Sequence, residues 1–442
     1  MTFLCPQDMD VIDKQILQIA VPSIVSNITV PLLGMIDVAI VGHMGDAVYI
    51  GAVAVGSLTF SLLYWLFAFL RMGTSGMTAQ ALGRRDLAEV TKILARSTGI
   101  ALGIAALLIG LQVPLRWLMF WLIGPTADVT PFAEAYFRIA IWGAPASLGL
   151  FGLMGWFIGM QNTRIPMFIS IMQNVVNIVA SLTLVYGLGM KIEGVAAGTV
   201  IAQYAGLLVA VGLLVRYYGK IFRGHGSVRV WQRKRTAGYQ VNRDIFLRTI
   251  CLVALNLYFT SASARQGAVI LSVNTVLLQL YMFFSYFMDG FAYAGEALGG
   301  RYYGARNGVA FRETLRRLFV WMLIVTSVYT LLYVMGGMRI VGLLTDEPQV
   351  VEAARSYVGW AWVIPVAGCV AFIWDGVFIG VTATRGMLLA SFMASALFFG
   401  VYGMTMGVMG NHGLWLAQVL SLAVRGVVQT VWYRLKITPA IP

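Results

Sequence analysis

PSIVSNITVPLLGMIDVAIVGHMGD, residues 22–46, is an apolar segment with two prolines, Pro22 and Pro31, and one carboxylate, Asp37, ahead of the aspartate that ends it. If the segment is a helix that crosses a bilayer, Asp37 lies where ions are unfavourable. A charged side chain at the centre of such a helix costs about 2.5 to 3.5 kcal/mol on insertion scales. Asp37 is therefore a candidate functional residue.

The composition of the whole chain places it in a membrane. Of its 442 residues, 59% are hydrophobic and 11% are charged, whereas a soluble domain is about 25% charged. The apolar segments are too long and too uniform for barrel strands. We therefore predict an all-α integral membrane protein with twelve transmembrane helices, at about 16–42, 51–78, 93–113, 134–160, 165–187, 193–217, 245–266, 268–297, 314–336, 356–380, 386–406 and 412–434.

The basic residues indicate the orientation in the membrane. When loops are assigned alternately to the two sides, one side receives twenty-three Lys and Arg residues and the other receives six. The positive-inside rule then predicts a multi-pass protein of the cell (inner) membrane with both termini in the cytosol. The net charge of +13 is explained by topology and by attraction to anionic lipid, so we expect no nucleic-acid partner.

Two halves of the sequence repeat one another. Trp142, Pro145, Phe157-Ile158-Gly159 and Thr163-Arg164 recur about 220 positions later as Trp362, Pro365, Phe378-Ile379-Gly380 and Thr384-Arg385. An even number of spans between the copies predicts two pseudo-symmetric six-helix lobes that share one orientation, as in secondary transporters. The predicted lobes are 1–219 and 245–442, joined by a basic cytosolic linker at 220–244.

The sequence lacks the motifs of soluble catalytic modules. It has no Walker A loop, no G-x-S-x-G elbow and no H-E-x-x-H motif. Its three cysteines and three histidines are scattered, which excludes a recognisable metal-ligand spacing. We expect a monomer that is not an enzyme and has no cofactor or metal, and whose partners are small organic molecules and the lipid bilayer.

Four polar positions are predicted to share one depth in the N-terminal lobe: Asp37, Asn177, Ser181 and Thr199. They form one cluster if the first, fifth and sixth spans pack together. A carboxylate without a nearby cation becomes protonated by desolvation, as a proton carrier requires. Asn and Ser also serve simply as hydrogen bonds between helices, and this alternative stays open for Ser181 and Thr199.

Two prolines make the first span a candidate hinge. Pro22 and Pro31 each remove a helical hydrogen bond, which favours bending, and bending would change the solvation of Asp37. A static kink is the alternative.

Five further polar residues within the spans are candidate functional residues: Arg71, Gln279, Asp289, Glu296 and Asp375. Depth along the helices places Arg71 and the three acids in the inner half of the membrane. They either line a substrate path or hold the cytosolic side closed through ion pairs. Gln279 lies near the middle of the eighth span, among Met and aromatic residues that suit an adaptable cavity.

With these residues identified, the chain resembles the MATE (multidrug and toxic compound extrusion) transporters, in the DinF (DNA-damage-inducible protein F) branch. The resemblance covers nearly the whole chain and depends on four ordered motifs: Ile36-Asp37 followed by GHMG at 42–45, FLRMGT at 69–74, DGFAYA at 289–294 and DGVFIG at 375–380.

This resemblance implies export of organic, often cationic or amphipathic, compounds in exchange for H⁺ or Na⁺. It implies that Asp37 is the protonation site, that Pro22 marks the bend and that Asn177 belongs to the same polar cluster. Many relatives carry a second aspartate where this chain has Ser181, which favours H⁺ over Na⁺ here. The alternatives are Na⁺ coupling through Asp375 and a lipid-linked oligosaccharide flippase of the same superfamily.

Overall fold

The computed structural model describes residues 6–42, 47–225, 235–345 and 347–440. Within these ranges it describes only the backbone of residues 6–10, 30–35, 37, 38, 42, 47, 224, 225, 235–237 and 440. Two positions predicted to be functional, Pro31 and Asp37, therefore lie in a described helix, but their side chains lie outside the described residues.

The described chain is almost entirely helical. Its α-helices in chain order are α1 (Pro6–Gly42), α2 (Ala47–Leu66), α3 (Phe69–Gly83), α4 (Leu87–Gly110), α5 (Gln112–Ile123), α6 (Thr130–Ala140), α7 (Ala144–Gly159), α8 (Arg164–Leu182), α9 (Ile192–His225), α10 (Arg235–Arg265), α11 (Ala268–Ala294), α12 (Gly300–Gly304), α13 (Gly308–Leu344), α14 (Pro348–Gly380), α15 (Thr384–Met409) and α16 (Asn411–Trp432). Wider π-helical turns extend three of them, at Thr183–Gly187, Gly295–Gly299 and Tyr433–Ile437.

Eleven helical segments in the described part of the chain are long and apolar enough to cross a membrane. They correspond to the second to twelfth predicted spans, and the first predicted span falls within α1. Three of the eleven join two α-helices: Val48–Gly83 joins α2 to α3, Thr130–Gly159 joins α6 to α7, and Ala268–Gly304 joins α11 to α12. The third crossing ends at Gly110, and the apolar sequence around Pro114 forms the separate helix α5.

Two compact units divide the chain. One comprises Val25–Arg235, and the other comprises Met1–Ile24 together with Thr236–Pro442. The long helix α1 thus contributes its first part to one unit and its remainder to the other. The lobe boundaries at 219 and 245 derived from the sequence stay a prediction.

The same close helix packing recurs in each unit. In the first, α7 lies against α3 so tightly that a Cβ on Gly155 would overlap the backbone carbonyl of Arg71. In the second, a Cβ on Gly376 of α14 would overlap the carbonyl of Ala292 in α11. Gly376 lies 221 positions after Gly155, and Ala292 lies 221 positions after Arg71, so a repeated contact accompanies the repeated sequence.

The connections after these helices repeat as well. Asp86 caps α4 by accepting a hydrogen bond from the backbone N–H of Glu89, and Asn307 caps α13 through Ala310 in the same way. Immediately before each cap stands an arginine with positive φ, 58° at Arg85 and 54° at position 306. The internal repeat predicted from the sequence is therefore present in helix packing and in turn geometry.

Candidate functional site

The C-terminal part of α1 runs alongside α8, and two hydrogen bonds define their register. Asn174 donates to the carbonyl of Thr29 at 2.9 Å. Further along, the hydroxyl of Tyr186 donates to the carbonyl of Ile40 at 3.0 Å. Because both contacts advance in the same direction along the chain, the two helices are parallel.

This register sets the level of Asp37 from the backbone alone. Asp37 lies eight residues beyond Thr29, and Ser181 lies seven residues beyond Asn174. With a rise of about 1.5 Å per residue, the two positions lie at the same height within about one turn. The side chain of Asp37 lies outside the described residues.

The other three members of the predicted N-terminal cluster lie on neighbouring helices. Asn177 on α8 donates to the Thr199 hydroxyl on α9 at 3.1 Å, and that hydroxyl donates to the carbonyl of Val195 at 3.1 Å. Ser181 lies one turn along α8 from Asn177 and contacts Gly198, whose lack of a side chain makes room for it. Depth counting had predicted this proximity.

Two side-chain oxygens of this cluster are buried. Asn177 and Ser181 are both 0% exposed. Among the described residues, neither the side-chain oxygen of Asn177 nor the hydroxyl of Ser181 has a hydrogen-bond partner. Buried polar groups are nearly always paired, and an unpaired one costs about 1 to 3 kcal/mol. Within the described part of the chain, the cluster therefore has hydrogen-bonding capacity left over at the height of Asp37.

Pro22 occupies a distinctive place in α1. It is buried, and the helix continues through it. The two compact units divide this helix between Ile24 and Val25, two residues later. Since proline removes one backbone hydrogen bond of the helix, the backbone is weakened next to the point where α1 passes from one unit to the other.

A second cluster surrounds Asp375 on α14. One of its carboxylate oxygens accepts a hydrogen bond from the guanidinium of Arg248 on α10. The same oxygen lies 3.3 Å from a guanidinium nitrogen of Arg425 on α16. The other oxygen accepts from the side-chain amide of Gln429 at 2.6 Å. Asp375 is 9% exposed, the two arginines 7% and 5%, and Gln429 0%. Both carboxylate oxygens are thus occupied by protein donors.

Asp289 and Tyr281 on α11 belong to the surroundings of this cluster. Asp289 is half-buried and interacts electrostatically with Arg248 and Tyr281. The guanidinium of Arg425 lies 5.8 Å from the ring centre of Phe372. The cluster therefore combines two cations with two carboxylates, and its formal charge is balanced.

The remaining predicted positions lie apart from these clusters. Glu296 is fully buried in the π-helical turn after α11, where Gly380 packs against its backbone carbonyl. Arg71 is half-buried on α3, and its carbonyl contacts Gly155. Gln279 on α11 is exposed.

Sequence reasoning did not identify Arg248 or Gln429. Arg248 lies only four residues after the predicted basic linker at 220–244, so its sequence context is that of a cytosolic basic residue. Its apolar surroundings, Ile245 to Leu252, were the available signal. The sequence signal for Gln429 was weaker. It lies one turn after Arg425 within the last span, and this spacing alone does not identify a shared partner.

A third polar group, also missed, joins α10, α11 and α16. The Asn274 amide donates to the Ser263 hydroxyl and to the Asn411 side chain, both at 2.7 Å. Its oxygen accepts from Asn411 at 3.0 Å and from the Trp415 indole at 2.8 Å. Each of these side chains is at most 3% exposed, and their hydrogen bonds are complete.

Among the described side chains, no three or more His, Cys, Asp and Glu residues form a group that suits a metal ion. The chemistry that this part of the chain offers is hydrogen bonding and ion pairing within the membrane-spanning helices. Such groups serve binding, proton transfer or packing rather than covalent catalysis.

Comparisons with known proteins agree with this architecture. A family model described as MatE matches residues 22–183 and 245–403. The DNA damage-inducible protein F of Escherichia coli is 38% identical over 426 residues, which is 96% of this chain and 92% of that protein. The Probable multidrug resistance protein NorM of Acinetobacter baylyi is 23% identical over 443 residues, 93% of each chain.

A solved structure confirms the predicted fold class. The outward-facing structure of a multidrug resistance MATE family transporter of the MOP superfamily matches with a TM-score of 0.88 at 18% identity, over 98% of this chain and 97% of that one. The protein is thus an all-α membrane protein of the twelve-helix MATE fold. On the family model, the DinF relative and the fold together, the chain belongs to the MatE family of membrane transporters and is not an enzyme.

Proposed function

We propose that this transporter is a secondary antiporter that exports organic cationic or amphipathic compounds in exchange for protons, and that Asp37 is the protonation site. The observation that carries the proposal is the pair of buried oxygens on Asn177 and Ser181 at the height of Asp37, which have no hydrogen-bond partner among the described residues. A carboxyl group that gains and loses a proton needs different hydrogen-bond partners in its two states.

The cluster offers partners for both states. A protonated carboxyl donates one hydrogen bond, and the amide oxygen of Asn177 is an acceptor. An ionised carboxylate only accepts, and the rotatable hydroxyl of Ser181 is a donor. Thr199 holds the amide nitrogen of Asn177 at 3.1 Å, which fixes the orientation of that side chain. The two residues would therefore stabilise Asp37 with and without its proton.

The second cluster supports protons over sodium as the coupling ion. A sodium ion bound at Asp375 would need carboxylate oxygens that Arg248, Arg425 and Gln429 already occupy. Two guanidinium groups beside that carboxylate would also repel an incoming cation. In the N-terminal cluster, Ser181 supplies no second negative charge. Asp37 is then the coupling carboxylate.

The proton gradient supplies enough free energy for this task. One proton that crosses a potential of 100 mV releases about 2.3 kcal/mol. With a pH gradient added, that supports roughly a hundredfold substrate accumulation, since 1.4 kcal/mol corresponds to a factor of ten. Bending of α1 beside Pro22, at the division between the two units, would change the solvation of Asp37 and so link protonation to transport.

The proposal includes the placement of the protein. Both termini face the cytosol, the membrane is the cell (inner) membrane, and the functional unit is a monomer. The excess of basic residues in one set of loops supports this orientation.

Dye efflux from reconstituted vesicles tests the function. We expect an imposed pH gradient, but not a sodium gradient, to drive efflux of rhodamine 6G by the wild type. Asp37→Asn abolishes this efflux, and Ser181→Ala slows it by about tenfold, the effect of one lost hydrogen bond of about 1.4 kcal/mol.

Retained fold is checked by size-exclusion chromatography and circular dichroism, and Gln349→Ala, which changes an exposed amide in the first turn of α14, is the matched control. Full pH-driven efflux by Asp37→Asn would contradict the assigned role. Efflux that requires sodium would contradict proton coupling.

A further inference from the structure

The first part of α1, residues 12–24, is attached to helices from the other end of the chain. It belongs to the same compact unit as α11, α12 and α13. One carboxylate oxygen of Asp13 accepts a hydrogen bond from the indole of Trp321 on α13 at 3.1 Å. The other oxygen lies 3.2 Å from the guanidinium of Arg317 on the same helix. Both oxygens of one carboxylate near the start of α1 therefore contact α13.

The two groups on α13 are themselves held in place for this contact. Arg317 and Trp321 are one turn apart, so their side chains lie on the same face of the helix. The Nε of Arg317 donates to the carboxylate of Glu313 at 3.1 Å. The ring of Phe291 on α11 stacks on that of Trp321, with centres 5.8 Å apart. Asp13 therefore meets a cation and an N–H whose positions other side chains fix.

Further contacts continue this attachment towards the middle of α1. The side-chain oxygen of Gln15 accepts a hydrogen bond from the hydroxyl of Tyr302 on α12 at 2.8 Å. Ile16 and Ala20 are both 0% exposed. On α11, Gly290 lies so close that a Cβ there would come within 2.9 Å of the carbonyl oxygen of Ala20. The first part of α1 is thus held by an ion pair, by hydrogen bonds and by close helix packing.

The partners of α1 change abruptly after Ile24. That side chain still packs against Gly290 on α11, whereas the hydroxyl of Ser26 donates to that of Ser170 on α8 at 2.8 Å. Pro22, which removes one helical hydrogen bond, stands two residues before the change. The corresponding helix in the other half, α10, lies in one unit from residue 236 to its end. The change of partners within a helix is therefore a property of α1 that the repeat does not explain.

We propose that Asp13, through Arg317 and Trp321, keeps the first part of α1 bound throughout transport and so confines the bending of this helix to residues 22–26. The role rests on the proposed function, in which bending of α1 changes the solvation of Asp37. With the first part held, a bend at one place moves the second part, and Asp37 with it, by the full amount. With the first part released, the same motion spreads along the helix and moves Asp37 less. Asp13 is thus a positioning residue for transport.

A covalent link tests whether the attachment persists during transport. Gln15→Cys and Tyr302→Cys are introduced into the full chain after its three native cysteines are replaced by alanine, and a short, reducible bis-methanethiosulfonate joins them. We expect the linked protein to carry out rhodamine 6G efflux from vesicles within about twofold of the wild-type rate. Linked protein that is inactive and recovers on reduction would overturn the proposal, because the first part of α1 would then have to leave its partners.

Loss of the contact tests whether it matters for transport. Asp13→Ala removes the ion pair and the acceptor of the indole, and we expect it to lower efflux by about tenfold, as loss of one charge-assisted hydrogen bond allows. Trp321→Phe keeps a ring and removes the N–H, so it should lower efflux by about threefold, and it provides the test if Asp13→Ala does not fold. Arg316→Gln, beside Arg317 on α13 with a side chain 75% exposed, is the matched control and should change nothing.

Rescue by the same link separates positioning from folding. We expect the link between positions 15 and 302 to restore efflux to the Asp13→Ala protein, and reduction of the link in the same preparation to remove it again. Full efflux by unlinked Asp13→Ala, or no recovery on linking, would contradict the positioning role. Every comparison uses the ion gradient that drives the wild type, so its outcome does not depend on whether that ion is a proton. A failure here therefore leaves the assignment of Asp37 to its own test.

Discussion

The two halves of the chain share a repeated helical framework but bury different polar groups in it. In the N-terminal half, Asn177 and Ser181 keep unpartnered oxygens among the described residues. In the C-terminal half, Asn274 and Asn411 bond each other twice, and Trp415 completes their network. A completed network holds helices together, whereas an incomplete one has capacity for a further partner.

Corresponding positions in the repeat show that the incomplete cluster is specific to one half. Phe398 and Tyr402 lie 221 positions after Asn177 and Ser181, on the corresponding helix α15. Both are buried in an apolar core, and both rings contact Tyr258. Aromatic rings thus occupy in the C-terminal half the positions that polar side chains occupy in the N-terminal half. This difference supports the proposal of a coupling site in the N-terminal half alone.

The largest expected effect of breaking this asymmetry is at Asp375. Asp375→Asn removes the charge that Arg248 and Arg425 share, and both arginines stay buried. Breaking a buried ion pair by removing one partner costs about 3 to 5 kcal/mol. Because the charge of Asp289 still stabilises Arg248, we expect the free energy of unfolding to fall by about 3 kcal/mol, the lower end of this range. Denaturant titration in detergent micelles measures this change.

Two comparisons make this result specific. Glu352→Gln removes one partner of an exposed pair with Arg355, whose side chains are 74% and 67% exposed, and should leave the unfolding midpoint unchanged. Replacing Asp375, Arg248 and Arg425 together by apolar residues should restore much of the loss, as other buried charge clusters do. A neutral effect of Asp375→Asn alone would mean that the cluster is not a stabilising unit.

A smaller effect separates the two amide clusters. Asn274→Leu leaves the Asn411 side chain and the Trp415 indole without a partner, so we expect a loss of about 1 to 3 kcal/mol in the free energy of unfolding, with efflux per folded molecule preserved. Asn177→Leu breaks one bond to Thr199 and should cost about 1 kcal/mol while strongly reducing pH-driven efflux. Unfolding titrations and vesicle efflux on the same preparations measure both quantities.

Opposite results would reverse the roles assigned to the clusters. If Asn274→Leu reduced efflux while the protein kept its stability, the completed network would be the functional one. Asn411→Leu is a matched second variant, since it removes the other half of the same pair and should behave like Asn274→Leu.

The spans, the repeat and the fold class could be predicted from the sequence because each depends on local properties, namely hydropathy and residue spacing. Hydropathy over about twenty residues locates a crossing, and counting residues gives depth. Depth was also enough to bring Asn177 and Thr199 together, since α8 and α9 are neighbours in sequence. The roles of Asp37, Pro22 and Pro31 remain proposals.

The partners of Asp375 show what such counting leaves out. Arg248 and Arg425 approach it from α10 and α16, at separations of 127 and 50 positions, and their contact depends on how each helix is rotated about its axis. Arg248 also follows a basic linker, so its sequence context resembles that of a surface residue. Hydropathy and residue counts give neither the pairing of distant helices nor the rotation of a helix about its axis. These contacts therefore could not be predicted from the single sequence.

The smallest expected effect on stability concerns two turns that are equivalent in the repeat. Gln161 follows α7 with φ 63°, and Thr382 follows α14 with φ 55°. The left-handed region costs any residue with a Cβ about 1 to 2 kcal/mol, and a β-branched residue more. Glycine removes this strain but adds entropy to the unfolded chain, about 0.4 to 1 kcal/mol.

The difference between these terms predicts the direction of each change. Thr382→Gly should raise the free energy of unfolding by about 0.5 kcal/mol, and Gln161→Gly by less, because only threonine is β-branched. Paired thermal unfolding of the two variants measures the difference. A larger gain from Gln161→Gly would show that neighbouring contacts, rather than backbone strain, set the stability of these two turns, and that the repeat does not extend to their energetics.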